Sequence, residues 1–311
     1  MWHHDLMWHY KMRYMMKQVF LVILLAFGFV AGAQNKIVKK PKKQKPATTQ
    51  VTPKKHKSQS KPTKGGTVKR VATKASYSNG TLTVNGIKYN MVWVDGGTFR
   101  MGATSEQGSD AYLDAYLDEK PVHSVTLSGY YIGKTEVTQA LWKAVMGSNP
   151  SRFKGDNRPV EGVSWDECQE FIRKLNSLTG RHFRLPTEAE WEFACRGGNN
   201  SRGYKYSGSN YIDNVAWYDG NSGNKTHPVA TKLPNELGIY DMSGNVWERC
   251  SDWKGDYSSG AQTNPKGPYD GSERVDRGGG WFGDAGGCRS SCRDYGDPDW
   301  RDSGLGLRLS L

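Results

Sequence analysis

The alternation of apolar and polar residues is clearest near the start of the folded region. Thr81-Leu-Thr-Val84 and Ile87 to Val94 flank Asn85-Gly86 and read as a hairpin, because Asn-Gly supplies the positive φ that a two-residue turn requires. Further strands are expected at Thr98 to Met101 and His123 to Ile132. Ser164-x-x-Glu167 is a capping box, and Cys168, Phe171, Ile172, Leu175 and Leu178 keep helical spacing behind it until Gly180. A second box, Thr187-x-x-Glu190, follows Pro186 and opens a helix holding Trp191 and Phe193, with Gly197 at its stop. A third helix is expected over Val137 to Met146, ending at Gly147. Beyond Gly198 neither period is sustained, and the chain reads as mostly irregular. The pattern implies an α+β domain with short strands, few helices and long irregular loops, in which nine tryptophans after residue 90 supply bulk.

Upstream of that domain the pattern is different. Residues 1–15 have no period and read as an extension from an upstream start. Lys17 then precedes twelve apolar residues, Val19 to Val30, followed by Ala31-Gly32-Ala33, the small-x-small site of a secretory signal peptide. An exported protein is therefore expected, located in the periplasm, on the cell surface or in the medium. Lys36 to Lys74 holds fourteen Lys or Arg and no acid, so it cannot bury enough apolar surface to fold. The expected division is leader 1–33, disordered basic tether 34–76 and a folded domain 77–311. Of the formal net charge of +12, the first two segments supply about +16 and the remainder about −4. The basic balance is thus no argument for a nucleic-acid partner, although the tether is suited to touch anionic envelope polymers. Ala111 to Asp118 repeats AYLD, a local loop expansion.

The residues limit the chemistry. His123, His182 and His227 lack the paired spacing of a zinc or iron site, and no nucleophile elbow, Walker or dinucleotide loop is present. Asn235 to Trp253 places Asp241, Asn245 and Glu248 around the permissive Gly238 and Gly244. Two readings stay open: a cation cage of Asp241, Glu248 and the carbonyls of Gly244 and Val246, or a polar turn pinned by Trp247 and Trp253. Trp281 to Gly304 is rich in Gly, Ser, Asp, Arg and aromatics and nearly free of aliphatics, a composition suited to binding loops and also to a solvated loop. Five cysteines, Cys168, Cys195, Cys250, Cys288 and Cys292, leave at least one unpaired after oxidation.

Met91 to Gly102, Glu119 to Val122, Lys134 to Trp142, Arg158 to Trp165, Arg184 to Gly198, the Asn235 to Trp253 loop, and Arg277 to Trp281 with Gly304 to Leu309 together resemble the formylglycine-generating, sulfatase-modifying family. The resemblance covers roughly residues 90–311 and implies a C-type-lectin-like fold. It places Asp241, Gly244, Val246 and Glu248 on calcium-ligand positions, and a second set on Asn214, Val215, Asn221 and Gly223, where Asn221 replaces a carboxylate. The family's oxidases bind copper(I) with a C-x-x-x-x-C pair. Its first position falls here on Gly283 and its second on Cys288, or Cys288 falls on a non-catalytic position when counted back from Gly304. One thiolate is missing either way, so copper is not expected, and Cys288 with Cys292 are weak substitutes. Extracellular members imply a Cys195–Cys288 disulfide. The C-terminal segment also resembles the variable segments of retroelement-diversified proteins. The resulting expectation is an exported non-catalytic module that binds a protein or surface ligand through Trp281, Phe282, Asp284, Ser290, Asp294, Tyr295, Asp297 and Trp300. The alternatives are an oxidase that acts on a cysteine of sulfatase-type clients and a structural component of a cell-envelope assembly.

Overall fold

The structure, a computed structural model, describes residues 73–107 and 118–311. The expected leader, nearly all of the expected tether and the AYLD repeat up to residue 117 lie outside the described residues.

Asn-Gly turns begin the fold. Asn85 and Gly86 take φ values of 50° and 85°, joining β2 (Thr81–Val84) to β3 (Ile87–Val94) as expected. Asn79 and Gly80, at 47° and 73°, make a second turn that adds β1 (Ala75–Ser78). The sheet is completed by β6 (Tyr130–Gly133), in the order β1-β2-β3-β6. A second sheet pairs β4 (Gly97–Met101) with β5 (His123–Leu127) and β8 (Gln262–Thr263). The expected strand His123 to Ile132 is therefore two strands in different sheets. The chain breaks at Ser128-Gly129, where a Cβ on residue 129 would lie 2.5 Å from the Trp93 ring.

The helices follow their caps. In α1 (Gln139–Met146) Thr138 accepts the Leu141 N–H and Gly147 closes the end in the left-handed region. Both capping boxes form completely, at α2 (Trp165–Thr179) and α3 (Glu188–Cys195). A short α4 spans Ile212–Val215. One apolar core lies between the first sheet and α1 and α2, with Trp142 stacked on Phe171 at 4.9 Å. A second packs Trp191 and Phe193 of α3 against Val94, Val125 and Val275.

The segment expected to be irregular contains a third sheet. Its strands β7 (Trp247–Trp253), β9 (Arg274–Arg277), β10 (Arg293–Gly296) and β11 (Leu305–Leu307) run in the order β10-β9-β7-β11, with β11 parallel to β7. They are short, and many of their inward side chains are arginines rather than aliphatics. Arg249, Arg277 and Arg308 are each fully buried.

The box at α2 supports a stability prediction. Ser164→Ala removes the acceptor of the Glu167 N–H, held at 3.2 Å, and should cost about 1 kcal/mol in urea unfolding. An unchanged midpoint would show that the cap contributes nothing.

Candidate binding face of the C-terminal segment

Beyond β9, Gly278 and Gly279 take φ of 101° and 78° and turn the chain back over the sheet. Trp281 is anchored at three points. Its backbone N–H reaches Asn245 O at 2.8 Å, its carbonyl accepts the Ser222 hydroxyl at 2.7 Å, and its indole N–H reaches Ser303 O at 3.0 Å. Only 7% of it is exposed. Phe153 and Phe282 meet its ring edge-on at 5.2 and 5.1 Å. Phe282 lies over Gly304 so closely that a Cβ there would fall 2.1 Å from its ring. These three aromatics form one face, with exposed Arg152 and Asp284 beside Phe153 and Phe282 in the chain.

The interior around this face is unusually polar. The buried indole N–H of Trp247, the Ser303 hydroxyl and Glu161 Oε2 find no hydrogen-bond partner among the described residues. Burial pushes the Glu161 carboxyl up to about 7, although its other oxygen accepts the Phe153 N–H at 2.8 Å. Burial also raises Asp302 above the usual carboxylate range.

The second half of the segment is held from below. Arg249 donates to the carbonyls of Trp300 at 2.8 Å and Asp297 at 3.4 Å, while Pro298 O accepts the Trp165 N–H at 2.9 Å. Arg301 pairs with Glu167 at 2.8 Å. Asp297 and Trp300 are thereby presented outward, with Trp300 47% exposed, while Asp294 and Tyr295 are half-buried on β10. Lys254 lies over the Tyr295 ring at 4.7 Å. Six of the eight expected contact residues therefore keep accessible surface. Ser290 is a correction: it is fully buried and its N–H is bonded to Lys205 O, because the turn from Cys288 to Arg293 is core. Trp281 supports the face rather than presenting its own surface. Phe153, Glu161 and Trp247 were missed, although Glu161 lies within the Arg158 to Trp165 motif and Trp247 within the Asn235 to Trp253 loop.

The expected cation cage is only partly suited to an ion. Glu248 accepts Trp191 Nε1 at 2.7 Å and Arg308 at 2.6 to 3.1 Å through both oxygens, so a protein cation already pairs with it. Asp241 keeps one bond, from the Ala230 N–H at 2.8 Å, and burial pushes it up to about 6. Glu136, fully buried, accepts from Asn245 and the Val246 N–H, and burial with Asp241 and Glu248 nearby raises it well above the usual range. Glu136 and Asp241 are thus two buried acids without an ion-pair partner among the described residues, beside the carbonyl-bearing Gly244 and Val246. The second set does not fit calcium. Asn221 spends its amide on Asp213 and Ala216 O and its oxygen on the Tyr218 N–H, and Lys232 Nζ lies 2.6 Å from Asp213 O. Asn214 O takes the Leu233 N–H, Val215 packs in a small apolar cluster, and Gly223 supplies only a left-handed turn. Among the described residues no three His, Cys, Asp or Glu side chains are grouped to hold a metal.

All five cysteines are free and buried, which corrects the expected Cys195–Cys288 disulfide. Cys195 is directed toward Met242 O at 3.6 Å, whereas Cys288 packs with Tyr206 and Val215. Cys292 packs elsewhere, with Trp247 and Leu305. Burial pushes the Cys195 thiol up to about 11 and raises Cys288 and Cys292 further, so it disfavours the thiolate at both positions of the weak catalytic pair.

Residues 82–311 match the model of the sulfatase-modifying factor enzyme 1-like domain. The chain is 36% identical over 257 residues to chaperone protein LppX of Paenibacillus barcinonensis, covering 67% of this chain and 82% of that protein. It is 35% identical over 194 residues to the formylglycine-generating enzyme of Mus musculus, covering 56% of this chain and spanning 50% of the mouse protein. Among solved structures, Treponema denticola variable protein 1 superposes with a TM-score of 0.66 at 36% identity, over 74% of this chain and 98% of that one. PvdO from Pseudomonas aeruginosa gives 0.57 at 25% identity, over 71% and 93%.

Thiol chemistry offers a direct check. Native protein should react at none of the five cysteines with an aromatic disulfide reagent at pH 8, and at all five once unfolded in denaturant. Prompt labelling of Cys288 or Cys292 in the native state would contradict the burial described.

Proposed function

The chain belongs to the sulfatase-modifying factor enzyme 1-like family, and we propose that it acts there as an exported binding module without oxidase chemistry. Its ligand, a protein or a surface component, is proposed to rest on the Phe153, Trp281 and Phe282 face and on the loop presenting Asp297 and Trp300. The observation that carries this reading is the combination of a fixed aromatic face, Phe153 and Phe282 edge-on to Trp281, with a backbone-tied loop that presents Asp297 and Trp300 to the outside. The leader-like Val19 to Ala33 supports export. The likeness to a variable protein supports a segment that changes while its frame persists: Arg289 and Arg308 are buried in ion pairs, whereas Asp284 and Asp297 are exposed.

The oxidase reading is favoured by the identity to formylglycine-generating enzymes, but it needs a thiolate pair that Gly283, Cys288 and Cys292 do not provide. Turnover of a sulfatase-type cysteine peptide by the copper-loaded protein would establish it and exclude the binding module. For the module, a photo-crosslinking residue placed at Phe282 or Trp300 in producing cells should capture a common adduct. The same residue at the fully exposed Tyr269 should not. Equal capture at all three positions would reject a defined face.

We also propose that the 241–248 loop takes a calcium ion through Asp241 and Glu136, with the carbonyls of Gly244 and Val246. Calcium should then stabilise chelated wild-type protein by about 2.7 kcal/mol at a hundredfold excess over Kd, seen as a higher melting temperature, and leave Asp241→Asn unchanged. A wild-type melting temperature indifferent to calcium would mean that the two acids are neutralised by protons instead.

A further inference from the structure

At the end of β7 the chain carries Asp252 into the interior, where it is 3% exposed. One of its oxygens is consumed by the fold: Oδ2 accepts the Ser251 hydroxyl at 2.8 Å and the N–H of Glu188, the first residue of α3, at 3.1 Å. Oδ1 has no donor among the described residues, and it is not among the fully buried polar atoms that lack one. Asp252 lines a cavity of about 240 Å³, and its Oδ1 lies beside Gly267, another residue of the lining. Met101, Ala189, Trp253 and the prolines 265 and 268 give apolar walls, and Glu188, Arg293, His123 and the exposed Asp256 and Lys266 give charged or polar ones.

The charges around Asp252 are otherwise committed. Glu188 is held bidentately by Arg293 at 2.6 and 2.8 Å, and His123 pairs with Pro121 O at 3.0 Å. Arg274 lies between the Trp165 and Trp253 rings and donates to Ser251 O at 2.6 Å, so it acts on Asp252 only at a distance. A carboxylate with no ion pair among the described residues therefore lines a cavity of mixed polarity, in which Glu188 and Arg293 neutralise each other. The apolar surface of Trp253, Pro265 and Pro268 beside that carboxylate suits a cation carried on an alkyl stem.

We propose that this cavity receives the ammonium or guanidinium end of an alkyl chain, with Asp252 Oδ1 as its counter-ion and Trp253 and the two prolines along the stem. A free small amine and a lysine or arginine side chain of a partner both carry that cation on an alkyl stem. Binding depends on pH. Burial, and then Glu188, push Asp252 up to about 7, and only the ionised form pairs, so affinity should rise about tenfold per unit as pH climbs toward that value. The groups that act on Asp252 are Glu188 and Glu190 of α3 and Arg274 of β9, while Asp256, Lys266 and His123 line the same cavity.

The test is titration of the full chain with n-butylammonium, n-butylguanidinium and a blocked tripeptide with a central lysine, followed by calorimetry at pH 6 and pH 8. At least one probe should bind saturably at pH 8 and several-fold more weakly at pH 6. Tighter binding of the tripeptide assigns the site to a protein side chain, and preference for the free amines assigns it to a small ligand. Asp252→Asn, which keeps the acceptor for Ser251 and Glu188, should lose at least tenfold. Lys266→Glu, on the exposed surface, should tighten binding and carries the test if the first variant fails to fold. The proposal is overturned if no probe binds at pH 8, if Asp252→Asn binds as tightly as wild type, or if Lys266→Glu leaves affinity unchanged or weaker.

Discussion

Five buried arginines hold the C-terminal half of this domain together. Arg308 pairs with Glu248, Arg277 with Glu192 and Glu188, Arg293 with Glu188, Arg289 with Glu119, and Arg249 with Asp276. All five arginines are 8% exposed or less. Desolvating two charges is expensive, and the attraction between them offsets that cost only when the geometry is good and the remaining donors are used. Arg308 and Arg293 meet that condition, Arg308 reaching Gly133 O and Tyr240 O at 2.9 Å and Arg293 reaching Asp118 O at 2.8 Å, whereas Nε of Arg249 finds no acceptor among the described residues. Each pair joins parts of the chain far apart in sequence, apart from the shorter link within the third sheet, so these pairs fix register where aliphatic packing would tolerate a slip.

The consequence for function is mechanical. Because ion pairs beneath the sheet specify it, 281–303 contributes few aliphatic residues to the core, and outside the buried turn 288–293 it carries Gly, Asp and aromatics. Arg249 links the two levels, bonding Asp276 within the sheet and the carbonyls of Asp297 and Trp300 in the loop. A loop tied through its backbone can change side chains without changing course. Binding by such a surface avoids much of the ordering entropy that a flexible loop would lose, which favours affinity from few contacts.

What was legible in the sequence was what is decided locally. The capping boxes at Ser164 and Thr187 and the Asn85-Gly86 turn are satisfied by neighbours within a few residues, and each formed as read. His123 to Ile132 looked continuous because its break depends on Trp93, more than thirty residues earlier, crowding Gly129. The third sheet escaped notice for a different reason: a strand whose inward positions carry Arg249, Arg277 or Arg293 shows no hydrophobic alternation. The same effect misled the site reading at Ser290, where polar composition suggested a surface and the turn is interior. Glu136 and Glu161 lay inside the quoted Lys134 to Trp142 and Arg158 to Trp165 motifs. Nothing local told either acid from a solvated one.

The buried acids divide into two groups, and the division has functional content. Glu119, Glu188, Glu192, Glu248 and Asp276 each have a guanidinium, and they lie where the fold is pinned. Glu136, Asp241, Glu161 and Asp252 form no ion pair among the described residues, and burial raises every one of them. A core selected for stability alone has little use for such groups, since an apolar residue of similar volume would avoid the desolvation cost. Their positions are not scattered at random: Glu136 and Asp241 adjoin the 241–248 loop, Glu161 bonds the backbone of Phe153 in the aromatic face, and Asp252 lines the cavity at the start of α3. The acids without an ion pair therefore coincide with the loop and the aromatic face proposed above as binding sites and with the cavity beside α3.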